Sequence, residues 1–366
     1  MDNRSAMSNT SNADNTHNVT VDQAVFTSVR SPMGEGYRII AASPGVRIDE
    51  KSEMTRRAPS HGSLCSEAED AAGLLAYPLA SGRFAVAFCC HAGKEHTNRG
   101  GHRVYSHFAL LSAEDYACFG FEATRVVLAL RDAVGEQLVL KQLPTLSQLT
   151  LSVCRAKPIR PEATMLDATA PIASAVFSNK VTMAVGDGDT LASLEVLLAW
   201  LPAATRRKLA VSAGVKFSPS RQLLVSFLLR DNGEGQRALR GQPVNCIDCA
   251  KAATAPRTAS PYDTWFEFAK SCMQRNRSQD LAWITAALVD AAPPDRLTRI
   301  AAIYADLESV GNADESALNR MSSKWLAFEA KLAPESSLLD DLRQCIADRS
   351  AQLKQQAKSK LAASSV

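Results

Sequence analysis

Residues 23–41 read Gln23-Ala-Val-Phe-Thr-Ser-Val29, Arg30-Ser-Pro-Met-Gly34-Glu-Gly36, Tyr37-Arg-Ile-Ile-Ala41. The outer two segments are runs of strand formers with partial alternation. The middle one is turn chemistry: Pro32 fixes φ, and Gly34 and Gly36 tolerate positive φ. A β-hairpin follows, halted at Ser43-Pro44-Gly45. Working outward, residues 74–79 and 84–89 flank the short connection Ala80-Ser-Gly82-Arg83 and predict a second hairpin. A loop rich in Gly and His, 92–103, leads into the strand-like run 104–111, and Ser112 precedes a short helix that includes 113–116. The first third thus reads as a β-rich domain over 21–135, behind a polar Ser/Asn/Thr tail at 1–20 that is expected to be disordered.

Further along, 180–185 is strand-like, and Gly186-Asp-Gly188 turns the chain. Asp189 or Thr190 can cap a helix over 191–201, closed by Pro202. Two strand candidates, 208–213 and 222–229, complete an α/β middle domain over 136–240, and the small residues and prolines of 241–260 suggest a linker. Beyond it the period becomes helical. Leu281, Ile284 and Leu288 recur at spacings of three and four, as do Leu297, Ile300, Tyr304 and Leu307, then Leu318, Met321, Trp325, Phe328 and Leu332. Pro293-Pro294 and Gly311-Asn312 separate these helices, and a last one is expected over about 336–361. The fold class is therefore α+β: a hairpin-rich N-terminal domain, an α/β middle domain and a helical domain over 261–366.

A chain of 366 residues is long enough for two or three domains. With 46 % hydrophobic and 22 % charged residues its composition is that of a globular protein. A net charge of +3, from 41 basic against 38 acidic residues, gives no global reason to expect nucleic-acid binding. No apolar run approaches the roughly 20 residues of a membrane span, and the polar start lacks the apolar core of a secretory signal. A cytoplasmic protein is expected. The nine cysteines, odd in number and irregular in spacing, fit reduced thiols used as small core residues. Cys246-Ile-Asp-Cys249 has the spacing of half a zinc site, but no second pair follows it.

No P-loop, H-E-x-x-H or G-x-S-x-G motif is present, which argues against nucleotide hydrolysis by a phosphate-cradling loop. Gly186-Asp-Gly188-Asp imitates the start of a dinucleotide fingerprint, but its third glycine is missing. Asp187 and Asp189 would also repel a pyrophosphate, so a turn with a helix cap is the better reading. Four of the six histidines, His91, His96, His102 and His107, fall within seventeen residues, with Glu95 among them. The favoured reading is a solvated Gly-rich loop beside one hydrogen-bonded strand histidine; the alternative is that imidazoles so close converge on a metal, with Glu95 as a base. Lys94, Arg99, His102, Arg103 and His107, interleaved with glycines, form a locally basic segment that reads first as an ordinary polar loop and otherwise as a receptor for an anion or an acidic partner surface.

Phe26-Thr-Ser-Val29, Gly36-Tyr-Arg-Ile-Ile-Ala-Ala-Ser-Pro-Gly45, Arg99-Gly-Gly-His-Arg103 and Ser106-His-Phe-Ala-Leu-Leu111 together resemble the N-terminal domain, type 2, of the bacterial GTPase-associated protein family. The middle region, with Leu201-Pro202, Arg206-Arg-Lys208 and a following strand pair, is similar to that family's second domain. The resemblance implies an adaptor or regulator of a bacterial conflict (antiphage defence) system. It would work with a GTPase or other NTPase encoded nearby and with an effector; the resemblance supplies no catalytic residues to carry over, and no cofactor is expected. A metal-dependent enzyme built on the histidines and a nucleotide-sensing module built on the 94–103 loop are the alternatives.

Overall fold

The structure, a computed structural model, describes residues 17–31, 34–95, 100–135, 138–154, 159, 161–230, 244–252, 259–326 and 328–363. It mixes strands and helices as the α+β reading requires, and divides into two compact units. One comprises residues up to 157 with 187–191 and 209–242; the other comprises 158–186, 192–208 and 243 onward.

The first unit is built on a sheet. The expected hairpin is there: β1 (His17–Ser31) pairs antiparallel with β2 (Gly34–Ala42), with a bulge near Val25 and Phe26. Strand β1 starts six residues before the expected Gln23, and its early part, His17 to Val21, pairs with β6 (Leu149–Val153). The second hairpin joins β3 (Ala72–Pro78) to β4 (Phe84–Lys94), turning at Gly82 with φ +86°. Strand β5 (His102–Leu111) then inserts between β4 and β1. Past the antiparallel β3–β8 pair, β8 (Val211–Ala213) lies parallel to β9 (Val225–Leu229). The order is therefore β9-β8-β3-β4-β5-β1-β2.

Strand alternation gives this sheet two buried faces. On one, Phe26, Leu75, Tyr77, Val104 and Phe108 pack with Met54 of α1 (Ile48–Arg57) and with Ala58 just past its end. On the other, Phe84 meets Tyr116 of α2 (Ala113–Cys118) and Phe121, while α3 (Ala123–Val134) lies along β3, β4 and β6. Ser112 caps α2 as its sequence suggests, accepting from the Asp115 N–H at 3.1 Å.

In the second unit β7 (Thr182–Gly186) and β10 (Asn245–Asp248) form a parallel pair covered by α4 (Ala163–Phe177). Residues 241–260, read from sequence as a linker, thus hold a strand followed by the helical turn Cys249–Ala252. Helix α5 (Thr190–Trp200) follows the Gly186-Asp-Gly188 turn. Asp189 accepts from the Leu191 N–H at 2.8 Å, so the turn-and-cap reading holds. The short α6 (Ala203–Arg206) comes after Pro202. Five helices then run Asp263–Gln274, Ser278–Ala287, Pro294–Ser309, Glu315–Trp325 and Glu335–Ala363. The periodic positions Leu281, Ile284, Leu297, Ile300, Leu318 and Leu342 are all buried, whereas Leu332 lies exposed between two helices. Among the described residues no helix is long and apolar enough to cross a membrane.

Candidate functional site

The β4–β5 region divides the histidine cluster. Strands β4 and β5 pair His91 with Val104 and, after a bulge, Lys94 with His102. His91 and His102 end on one face with their rings stacked, 4.6 Å between centroids and 9° between planes. Burial, then the neighbouring His102, lowers the His91 pKa. His107 lies on the opposite face by strand parity, and both its nitrogens are engaged. Gln23 Nε2 donates to Ser147 O at 2.8 Å, which turns Gln23 Oε1 toward His107 Nε2 at 2.6 Å. Nε2 is then the donor, and Nδ1 accepts from the Tyr105 hydroxyl at 3.0 Å. His96 and Arg99 lie outside the described residues. Among those described, no three His, Cys, Asp or Glu side chains are grouped as a metal ion would need.

Burial pushes His107 down to about 4 from the usual 6.5. The sign follows from linkage: as pH falls through 6.5 the unfolded chain takes up a proton that the folded one refuses until about 4. Stability is therefore lost on acidification, by about 2 kcal/mol between about pH 7 and pH 5. Urea unfolding at those two pH values should show this difference shrinking in His107→Gln. An undiminished difference would mean that His107 is not the group responsible.

The basic residues fare differently from one another. Arg103 is buried, and its Nε and Nη2 both donate to Ala92 O, at 3.0 and 2.6 Å. It braces the base of the loop. Lys94 is exposed at the end of β4, and His102 is half-buried. Glu95 accepts from Ser28 Oγ at 3.0 Å and from the Tyr37 hydroxyl at 2.8 Å, and Tyr37 in turn accepts from the Val104 N–H. Glu95 therefore ties β1, β2 and β5 together. The nine cysteines are all free, and burial pushes Cys89 up to about 12 and Cys90 up to about 11, so both rest as thiols.

A cleft that no sequence motif pointed to lies in the same unit. It holds about 520 Å³ between the C-terminal end of α1, residues 60–63 and the turn 216–221. Three cations line it, Arg56, Lys216 and Arg221, with the hydroxyls of Ser60, Ser63, Ser218 and Ser220 and an apolar floor at Phe26, Tyr37 and Ala58. Arg221 builds it. Its Nε donates to Arg57 O at 3.2 Å, Nη1 to Lys216 O at 2.6 Å and Nη2 to Ser63 Oγ at 3.0 Å. The signal available in the sequence was Ser218-Pro-Ser-Arg221, a compact turn dense in hydroxyls and ending on an arginine.

A largely antiparallel sheet with helices on both faces, carrying a cationic cleft at one of them, defines the N-terminal unit as an α+β domain. Residues 20–148 match the family described as GTPase-associated protein 1, N-terminal domain type 2. The match runs from β1 to the threshold of β6. It includes the α1 side of the cleft and leaves out the 216–221 side. No curated protein matches the chain.

Proposed function

We propose that this protein is a non-catalytic adaptor or regulator that works with a partner GTPase, in a bacterial conflict system of the antiphage-defence kind, and passes the partner's state to an effector. The observation that carries the reading is the family match over 20–148, since the family is described by its association with a GTPase. Two features of the site agree with it. Arg103 and His107, the members of the histidine and basic cluster that looked most chemical, spend their polar atoms on holding strands and loop together. The remaining exposed groups of that region, Lys94 above all, offer a surface instead of a reaction centre.

The test is reconstitution. Co-expressed with the GTPase encoded beside it, the chain should elute with that GTPase as one species at micromolar concentration in its GTP- or GDP-loaded form. Separate elution in both nucleotide states would refute the adaptor reading.

A further inference from the structure

The cleft between α1 and the 216–221 turn contains an electrostatic imbalance. Arg221 is 6 % exposed, and its hydrogen bonds all go to neutral acceptors: two backbone carbonyls and one serine hydroxyl. Two other arginines show the alternative: half-buried Arg83 has Glu50 and Asp22 as carboxylate partners, and buried Arg296 has Glu335. Among the described residues Arg221 has none. A buried cation without a counter-ion is costly, and its charge is little screened.

The surroundings add to that charge. Arg56, exposed at the last turn of α1, has no ion pair among the described residues, and Lys216 reaches only the well-exposed Glu67, at 4.0 Å. No carboxylate among the described residues lines the cleft. The nearby acids are engaged elsewhere: Glu53 with Arg57, Glu50 with Arg83, and Glu95 with Ser28 and Tyr37. The volume of about 520 Å³ falls in the range of small-molecule sites, roughly 300–1,000 Å³. One part of the wall is cationic and rich in hydroxyls, and the other is aromatic, with Phe26 and Tyr37 packed at 5.7 Å.

We propose that this cleft is a binding site for a small phosphate ester, with the phosphate held by Arg56, Lys216 and the cleft's serine hydroxyls over the fixed charge of Arg221, and a planar or apolar body laid against Phe26 and Tyr37. Arg and Lys together with hydroxyl donors are the standard partners of phosphate oxygens, and an aromatic wall accepts the flat part of a nucleotide-like ligand. The site is separate from the Lys94–Arg103 loop, where Arg103 is already committed to backbone.

Isothermal titration of the full chain at low salt, with GMP, AMP, guanosine and inorganic phosphate as probes, tests this. Saturable one-to-one binding of at least one nucleotide is expected, about tenfold or more tighter than inorganic phosphate or guanosine. The double variant Arg56→Ala/Lys216→Ala, both on the surface, should weaken it at least about tenfold while leaving the thermal midpoint of the free protein in place. The absence of saturable binding by either nucleotide, an affinity untouched by the double variant, or inorganic phosphate binding as tightly as the nucleotides would each overturn the proposal. Because the lone chain is titrated, the outcome is independent of whether the chain elutes with a GTPase.

Discussion

Replacing Arg83 with alanine is expected to destabilise the N-terminal unit by about 3–5 kcal/mol, because it strands two buried carboxylates at once. Arg83 sits in the connection between β3 and β4. Its Nη1 donates to Asp22 of β1 at 2.7 Å, its Nε to Glu50 of α1 at 2.8 Å, and its Nη2 to Glu50 Oε2 and to Gly45 O. Glu50 is 1 % exposed and Asp22 is also buried. Gly45 packs so closely on Asp22 that a Cβ there would lie 2.3 Å from a carboxylate oxygen, so Asp22 is hemmed in on that side. Without the guanidinium, both charges remain in a low-dielectric place, supported by the Arg47 N–H and Ser81 on Glu50 and by the Gln148 amide on Asp22. Hydrogen exchange of peptides from β1 and α1 would register the loss, and Glu50→Gln in the Arg83→Ala background should recover part of it. Unchanged protection in Arg83→Ala would show that the bridge adds nothing.

The same bridge sets an acid limit. Burial alone would raise the Glu50 carboxyl, but the hydrogen bonds from Arg83, Ser81 and the Arg47 N–H outweigh burial and hold it at about 2, below the usual 4.5. A carboxyl depressed in the folded state stabilises it above about pH 4.5, and that contribution drains away as pH falls toward about 2. Arg83→Ala should remove this portion of the acid sensitivity together with the stability.

These interactions also explain what could be read from the sequence and what could not. The hairpins were legible because their causes are local: alternation over a few residues, and a connection such as Ala80-Ser-Gly82-Arg83 whose glycine adopts positive φ. The C-terminal helices were legible for the same kind of reason, with Leu281, Ile284, Leu297 and Ile300 keeping helical spacing and all buried. Helix α1 was not, because it carries no apolar stripe. Met54 is its one buried apolar side chain, and Glu50 anchors it through Arg83, thirty-three residues away. The histidines misled by density. Closeness along a strand sends alternate side chains to opposite faces, so His107 parts from His91 and His102 however short the segment. The cleft was the least legible feature. Arg221 joins Arg57 and Ser63 across more than 150 residues, and nothing local to either end announces the other.

The second large effect belongs to the other unit. Trp265→Ala is expected to cost about 3–5 kcal/mol, the range for emptying a buried aromatic site. Trp265 is 0 % exposed on the helix Asp263–Gln274, and its indole Nε1 donates to Trp200 O at 2.9 Å, where α5 ends. Around it, Phe268 lies 5.3 Å away, and Phe266 stacks on Trp200 at 6.1 Å. Removing the indole therefore opens a cavity and leaves a helix-terminal carbonyl without its donor, two losses of different kind. Trp265→Phe separates them: it fills most of the space and forfeits only the hydrogen bond, so about 1–2 kcal/mol is expected for that part. All four tryptophans, Trp200, Trp265, Trp283 and Trp325, lie in the second unit. Indole fluorescence during denaturation accordingly follows that unit alone. It should show the transition of Trp265→Ala moving to lower denaturant, while in Arg83→Ala the loss appears in the exchange of β1 and α1. A fluorescence transition that stays in place when Trp265 is truncated would mean that the α5–helix contact does not hold the unit together.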